Sequence, residues 1–436
     1  MYVLYSCLSA FALVLAAPWL AWQAFRYGKY TEAWPERFGQ LPATLAAVAA
    51  QTIWLHAVSV GEVLSARPLV AALQARYPDW RIVVSTTTRT GRAMATTRLP
   101  GVAGVFYFPL DFAWIVRRVL ARLRPSLLIV VETEIWPNLL RLCRTEGMGV
   151  LLVNARISDR SFPRYHHVRR LLGRVLGQCD RLCAQSDQTA HRLRTLGAPA
   201  ERIVVTGSLK FDVQAEPPRA TSDVVARLTG RPVLLAASTL QGEDEILLET
   251  FEQLRRVEPE AVLVLAPRHP ERFDRVASLA QATRWRTARR TRLAEVGETG
   301  LDVLVLDSLG ELAGICGHAT VVFVGGSLVP AGGHNILEPA LHARPIVVGP
   351  SMSNFAEIAR IFLAADALVQ VPDAATAQRE LIALFADPDR RHRLGVAARR
   401  VLDLHRGAVQ RTMAEIGAVI ALRQLDWLRQ TVEAPR

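Results

Sequence analysis

The sequence predicts an α/β protein made of two successive doubly wound parallel-sheet halves behind an N-terminal apolar helix. Three observations carry this. Short continuous apolar runs alternate with helical patterns along nearly the whole chain, the pattern of parallel strands covered on both faces. The alternation breaks once, over the polar and Pro-containing stretch 213–232, and then restarts. The length of 436 residues exceeds one ordinary domain and suits two of about 200 each.

From Met1 to Phe25 there is no charged side chain. The run is long enough to cross a hydrocarbon core of ~30 Å as a helix. Trp19 and Trp22 stand near its end, where an interfacial aromatic belt belongs, and Arg26 and Lys29 follow at once. No Lys or Arg precedes the run, so the positive-inside rule puts everything after residue 26 in the cytoplasm. A cleaved signal peptide would want a basic n-region, which is missing. Residues 1–25 are therefore read as a membrane anchor, with Pro18 marking either a kink in a full span or a monotopic insertion.

Strands are expected at 52–58, 81–87, 102–108, 126–132, 149–155 and 203–206, and a helix at 63–76. After the linker, strands are expected at 232–238, 261–267, 302–307, 320–326 and 344–350, followed by a basic, mainly helical region from Ala374 on. The domains are then 26–212 and 233–436, joined by 213–232. Ligands of such sheets bind outside the carboxyl ends of the strands, here expected in the cleft between the halves.

Composition narrows the function. Half the residues are hydrophobic and 21% charged, which excludes a disordered chain. Lys and Arg number 52 against 40 Asp and Glu, a net charge of +12. That excess implies an anionic partner: nucleic acid, a phosphorylated substrate or a membrane surface. The five cysteines are scattered and imply a reducing compartment. Cys179 and Cys183 form one C-x3-C without a second pair and read as two half-buried thiols rather than a zinc site.

The strand ends hold the chemistry. GGSLVPAGGHNILEP (325–339) follows a strand, and its helix must begin near Asn335 because Pro339 is tolerated only in a first turn. A helix start behind a Gly-rich loop is an anion site. It is neither a Walker loop nor GxGxxG. Asn335 and Glu338 also have the spacing of a capping box. APRHP (266–270) presents Arg268 and His269; Arg268 suits a phosphate or base edge, or is a surface Arg in a turn. In SLGEL (308–312), Gly310 and Glu311 open a short helix, where Glu311 is also explicable as a dipole-favoured carboxylate. In the first half, Glu62 follows Gly61 where a helix begins, as a general base or as an ordinary helix-start Glu. VETEIWPN (131–138) puts Glu132 and Glu134 on one face of an extended segment, a pair compatible with a metal. TTTRTG (86–91) and NARISDRS (154–161) are polar and basic, and GSLKFD (207–212) presents Lys210. Asp387 and Asp389 form a lone Asp-x-Asp at a Pro-containing turn and read as a turn.

HAVSVGEV, ETEIWPN, NARISDRS, SLKFD, APRHPERF and GGHNILEPA, with ERFG at 36–39, together resemble the 3-deoxy-D-manno-octulosonic acid (Kdo) transferases of Gram-negative bacteria. The match runs from the anchor to the C-terminal helices. The resemblance implies a GT-B fold and metal-independent transfer of Kdo from CMP-Kdo to lipid IVA, an acylated diphosphoryl disaccharide, on the cytoplasmic face of the inner membrane, with no cofactor. It implies Glu62 as general base and Glu132 and Lys210 as transition-state stabilisers. It implies CMP-Kdo binding by Arg268 and His269, by Leu309, Gly310 and Glu311, and by Asn335, Ile336, Leu337 and Glu338. One position departs: Leu240 in ASTLQGEDE stands where the family pattern has His, so a polar donor contact at 240 is in doubt.

The residues suit this chemistry. A transfer with inversion needs one base for the acceptor hydroxyl and stabilisation of the departing group. CMP leaves as a phosphate monoester, which a helix N-terminus and cationic side chains stabilise without a metal. The charge excess suits a phosphorylated lipid at an anionic membrane. Two rivals come from other classes. A nucleotide-sugar 2-epimerase shares the fold but is soluble, against the anchor. A membrane-tethered nucleic-acid binder rests on charge alone, with no aromatic-basic interleaving or known module, so no nucleic-acid partner is expected.

Overall fold

The computed structural model describes residues 1–27, 33–46, 48, 50–212, 222–295 and 300–433. It divides into two compact units, Met1–Asp212 with Arg406–Arg436, and Val213–His405.

The first unit holds strands β1 (Thr52–His56), β2 (Arg81–Thr86), β3 (Gly104–Tyr107), β4 (Leu127–Val131), β5 (Gly149–Ala155), β6 (Arg181–Ala184) and β7 (Ile203–Val205). They form one parallel sheet in the order β3-β2-β1-β4-β5-β6-β7. Successive residues point to opposite faces, and both faces are covered. Ile53, Leu55, Ile129 and Leu151 enter one core, while Trp54, Val83, Phe106 and Leu128 enter the other. That double burial is why the strands read as unbroken apolar runs.

The second unit holds β8 (Val233–Thr239), β9 (Val262–Pro267), β10 (Thr287–Arg289), β11 (Val303–Val305), β12 (Val321–Val324), β13 (Ile346–Val348) and β14 (Val369–Gln370). These pair in parallel as β10-β11-β9-β8-β12-β13-β14. Each unit is thus doubly wound, as expected. The strand order reverses between β1 and β4 in the first unit and between β8 and β12 in the second. Loops leaving such a pair diverge, and the crevice they leave is where ligands bind.

Three strands escaped the sequence reading. β6, β10 and β14 have four, three and two residues. Arg181, Thr287 and Arg289 interrupt any apolar run in the first two, and β14 is half exposed. Of the expected linker 213–232, residues 213–221 lie outside the described residues; Ser222–Leu228 is a helix and Val233 opens β8.

The expected C-terminal domain 233–436 ends sooner. At His405 the chain returns to the first unit. The helix Ala408–Glu433 buries Ala408, Ile416, Val419 and Ile420 in the core beneath β1, β4 and β5. Its start is fixed by Asp212, whose Oδ1 and Oδ2 accept from Gly407 N at 2.6 Å and Val409 N at 2.5 Å. Arg181 pairs with Glu415 and Arg423 with Asp180 along the same helix. A basic helical tail carries no mark of which sheet it covers; the apolar stripe finds the open face of the first.

The apolar helix Tyr2–Tyr27 is long and apolar enough to cross a membrane, and no residue of its Tyr2–Trp19 window is fully buried. Val3, Leu4, Leu8, Phe11, Val14, Leu15, Trp19 and Trp22 all face outward. Its first turns touch the first unit: Asn138 Nδ2 donates to Ser6 Oγ at 3.1 Å, and the Arg141 guanidinium lies 4.5 Å from the Tyr2 ring centre. An exposed surface of this kind fits an anchor.

Ile416 is fully buried in the first unit's core. Ile416→Ala should therefore lower stability by about 2–5 kcal/mol in denaturant unfolding. A cost within about 0.5 kcal/mol, the range of a surface change, would remove the C-terminal helix from that core.

Candidate active site

In the first unit the candidate residues gather at the switch point. β1 ends at His56, and the helix Val60–Arg76 opens on Gly61 and Glu62. Glu62 is 9% exposed. Its Oε2 accepts from Val58 N at 2.7 Å and its Oε1 from Ser59 Oγ at 3.2 Å. The carboxylate does cap its own helix entrance, as the ordinary reading of such a Glu requires. It is also perturbed. Burial pushes its pKa up to about 7, and the charges of Glu132 and Glu134 add to the rise, against the Val58 and Ser59 hydrogen bonds. Those neighbours arrive on the loop after β4, across the switch point.

That loop is held at both ends. Glu132 sits at φ +60°, a left-handed backbone, and its N–H donates to Val153 O at 2.9 Å. Arg156 N donates to Thr133 Oγ1 at 2.9 Å. At the far end the Asp111 carboxylate accepts from Asn138 N at 3.0 Å and Leu139 N at 2.8 Å, capping the next helix. Burial also raises the Glu134 carboxyl, with the Glu132 charge adding to the effect. Lys210 lies in the 3-10 turn Leu209–Phe211, which packs against the helix opened by Glu62. Among the described residues no group of three or more His, Cys, Asp or Glu side chains is arranged to hold a metal ion. Cys179 and Cys183 are fully buried rather than half-buried, and burial pushes both thiols up to about 12.

In the second unit the switch-point loops are stitched together by a residue the sequence reading passed over. Glu243, in ASTLQGEDE, is fully buried. Its carboxylate accepts from Leu240 N at 2.8 Å, Gly326 N at 2.7 Å, Ser327 N at 3.0 Å and Leu328 N at 3.0 Å. The backbone N–H groups of Gly326, Ser327 and Leu328 thus enclose an anion, as a Gly-rich loop is built to do, but the anion is the protein's own. The anion site expected behind the Gly-rich loop is thus partly filled from within. A Cβ on Gly325 would stand 2.6 Å from Ser238 O and 2.8 Å from Glu243 Oε2, so the glycine serves the packing of the loops. Leu240 takes part through its backbone.

The other segments are arranged as follows. Arg268, His269 and Pro270 are exposed just past β9, and Arg268 N donates to Thr239 O at 3.0 Å. Arg272 instead pairs with buried Asp244 and donates Nη1 to Thr239 O at 2.7 Å. Of the two arginines in APRHPER, one is structural and one faces outward. Leu309 is exposed, Gly310 has φ +86°, and Glu311 accepts from Arg290 Nε at 2.5 Å. The helix after the Gly-rich loop is Leu337–Leu341, with Pro339 in its first turn. Asn335 Oδ1 accepts from Leu337 N at 3.0 Å, and Asn335 Nδ2 donates to Glu338 Oε1 at 3.0 Å. The pair braces the helix start side chain to side chain, a variation on the capping box.

His334 is a second addition. Burial pushes its imidazole down to about 4, and the nearby charges of Arg268 and His269 deepen the shift. The three side chains therefore share one neighbourhood, joining APRHP to GGHNILEP. Asp387 accepts from Arg390 N at 2.8 Å across the break between two helices, the turn expected for the Asp-x-Asp.

Residues 32–213 match the family model for 3-deoxy-D-manno-octulosonic-acid transferase (kdotransferase). The 3-deoxy-D-manno-octulosonic acid transferase of Bordetella pertussis is 39% identical over 407 residues, 91% of this chain and 94% of that one. The protein of that name from Haemophilus influenzae is 37% identical, covering 83% of this chain and 86% of its own. A UDP-GlcNAc 2-epimerase from Neisseria meningitidis, solved with UDP-GlcNAc, superposes with a TM-score of 0.57 at 14% identity, over 84% of this chain and 99% of that one. That is a likeness of fold, of the GT-B kind.

The raised Glu62 carboxyl has a consequence for stability. Folded, it holds its proton to about pH 7; unfolded, it releases it near the ordinary glutamate value of 4.5. Unfolding therefore releases a proton between those values, and the wild type loses stability as pH rises through that window. Glu62→Gln has no such dependence. Its thermal midpoint should gain on the wild type between pH 5 and 8. A constant difference across that range would mean that Glu62 titrates normally.

Proposed function

The chain belongs to the 3-deoxy-D-manno-octulosonic acid transferase family, and from that premise we propose that it transfers Kdo, with inversion, from CMP-Kdo to a hydroxyl of lipid IVA. The observation that carries the mechanism is the state of Glu62. A sugar hydroxyl is far too weak an acid to ionise at neutral pH. A carboxylate whose pKa lies near the working pH accepts its proton with the best compromise between availability and basicity. Burial and two neighbouring carboxylates supply that pKa here.

The steps balance without a further reactant. The acceptor oxygen attacks the anomeric carbon of Kdo as its proton passes to Glu62. The bond from that carbon to the phosphate oxygen breaks, and CMP departs with the electron pair as a phosphate monoester. Lys210 and Glu132 act on the charge redistributed at the reacting carbon. Glu132 suits positive character there, and Lys210 the negative charge leaving.

Donor binding falls to the second unit. Arg268, exposed and close to His269 and His334, is suited to the CMP phosphate. Leu309, Gly310 and Glu311, and the braced segment Asn335, Ile336, Leu337 and Glu338, complete the nucleotide site. The leaving phosphate is then held by protein groups, without a metal. The apolar N-terminal helix, the basic residues after it and the net charge of +12 support a place on the cytoplasmic face of an anionic inner membrane. Family membership and the anchor both weigh against the 2-epimerase alternative.

The test is direct. Purified protein incubated with CMP-Kdo and lipid IVA in EDTA should raise the lipid's mass by one or more Kdo units. No change in lipid mass, with or without EDTA, would reject the substrates. Transfer lost in EDTA and restored by Mg²⁺ would reject the metal-free step.

A further inference from the structure

We infer that Asn154 is the positioning residue for Lys210, fixing the short turn that carries the lysine; the inference rests on the role proposed above for Lys210. The lysine is the middle residue of the 3-10 turn Leu209–Phe211, between two buried side chains. The turn's first N–H, that of Leu209, donates at 3.0 Å to Asn154 Oδ1, a residue 55 positions earlier at the end of β5.

Asn154 is built for this bond at some cost. It is fully buried, with φ +55°. Asn, Asp and Gly are the residues that tolerate this left-handed backbone, and of these only Asn and Asp bring a side-chain oxygen. Gln185 Nε2 donates to Asn154 O at 2.8 Å and holds the backbone in place. Among the described residues Asn154 Nδ2 has no hydrogen-bond partner. What the position uses is therefore its oxygen and its unusual backbone. An unfavourable backbone held in a fully buried place marks a site where geometry matters.

The other end of the turn is also clamped. Asp212 accepts from Gly407 N and Val409 N. Arg411 Nε, in the helix begun there, donates to Thr206 O at 2.8 Å. That helix packs on Val60–Arg76, the helix that Glu62 opens. Lys210 and Glu62 thus belong to one rigid block. A lysine has four flexible methylenes, so a fixed origin is what confines its ammonium to a useful position.

The test uses the full chain with CMP-Kdo and lipid acceptor. Asn154→Gly keeps the left-handed backbone and deletes the oxygen. It should lower kcat by up to about 10²-fold, the cost of a misplaced catalytic group, with KM for CMP-Kdo unchanged. Asn154→Asp should restore most of the rate. In a Lys210→Ala background, Asn154→Gly should cost nothing further. Wild-type kcat in Asn154→Gly, or a full additional loss on top of Lys210→Ala, overturns the inference. Should Asn154→Gly not fold, Asp and Ser at 154 carry the test: Asp reaches Leu209 N and Ser falls one atom short, so equal kcat for the two would overturn it. Wild-type turnover in Lys210→Ala would sink the role of the lysine and this inference together. A slow Lys210→Ala beside a fast Asn154→Gly would sink this inference alone.

Discussion

Everything at the candidate site depends on how a parallel sheet ends. Helix N–H groups and strand-end N–H groups point into the same crevice and must be satisfied there. Both units meet this demand in the same way, with a Gly-Glu pair after the first strand of the sheet. In the second unit Glu243 is buried completely and takes four backbone N–H bonds, so it works as an internal counter-anion. In the first unit Glu62 takes one backbone N–H and one hydroxyl. It remains partly exposed, with lone pairs to spare and two carboxylates nearby. One carboxylate is wholly enclosed by backbone donors and the other is not.

Backbone strain follows the same geography. Glu132, Asn154 and Ser238 all adopt left-handed φ, at +60°, +55° and +56°. They lie at the ends of β4, β5 and β8. Such residues persist only where the surroundings over-determine them. Here the surroundings are identifiable: Val153 O for Glu132, Gln185 and Leu209 for Asn154, and the close approach of Gly325 for Ser238. In both sheets the chain turns at these strand exits through a left-handed residue.

Much of this was legible in the residues. Long strands buried on both faces announce themselves as apolar runs, so β1, β4, β5, β8 and β9 were plain. The motifs at their ends single out Glu62, Arg268 and Asn335 as candidates. What could not be read had a physical reason in each case. β10 and β14 are too short to show a period. The Ala408–Glu433 helix has an ordinary amphipathic stripe, and nothing local says that it crosses back to the first sheet. Glu243 looks like any helix-start acid, and its burial is a property of the loop it meets 83 residues later. Asn154 needed its φ and its distant partner. The repeated Gly-Glu after each unit's first strand was a signal within reach, because it marks equivalent positions in the two halves.

The central claim is that Glu62 is the base and that its environment tunes it. The most direct measurement is the pH dependence of kcat/KM for the wild type and for Glu62→Gln. Since the base must be ionised to act, kcat/KM for the wild type should rise with pH through an apparent pKa of about 7. Glu62→Gln should be slower by roughly 10²–10⁴ and should lack that rise, the magnitude expected for loss of a general base. A variant that keeps the rising limb, or turns over near the wild-type rate while folded, would contradict the account.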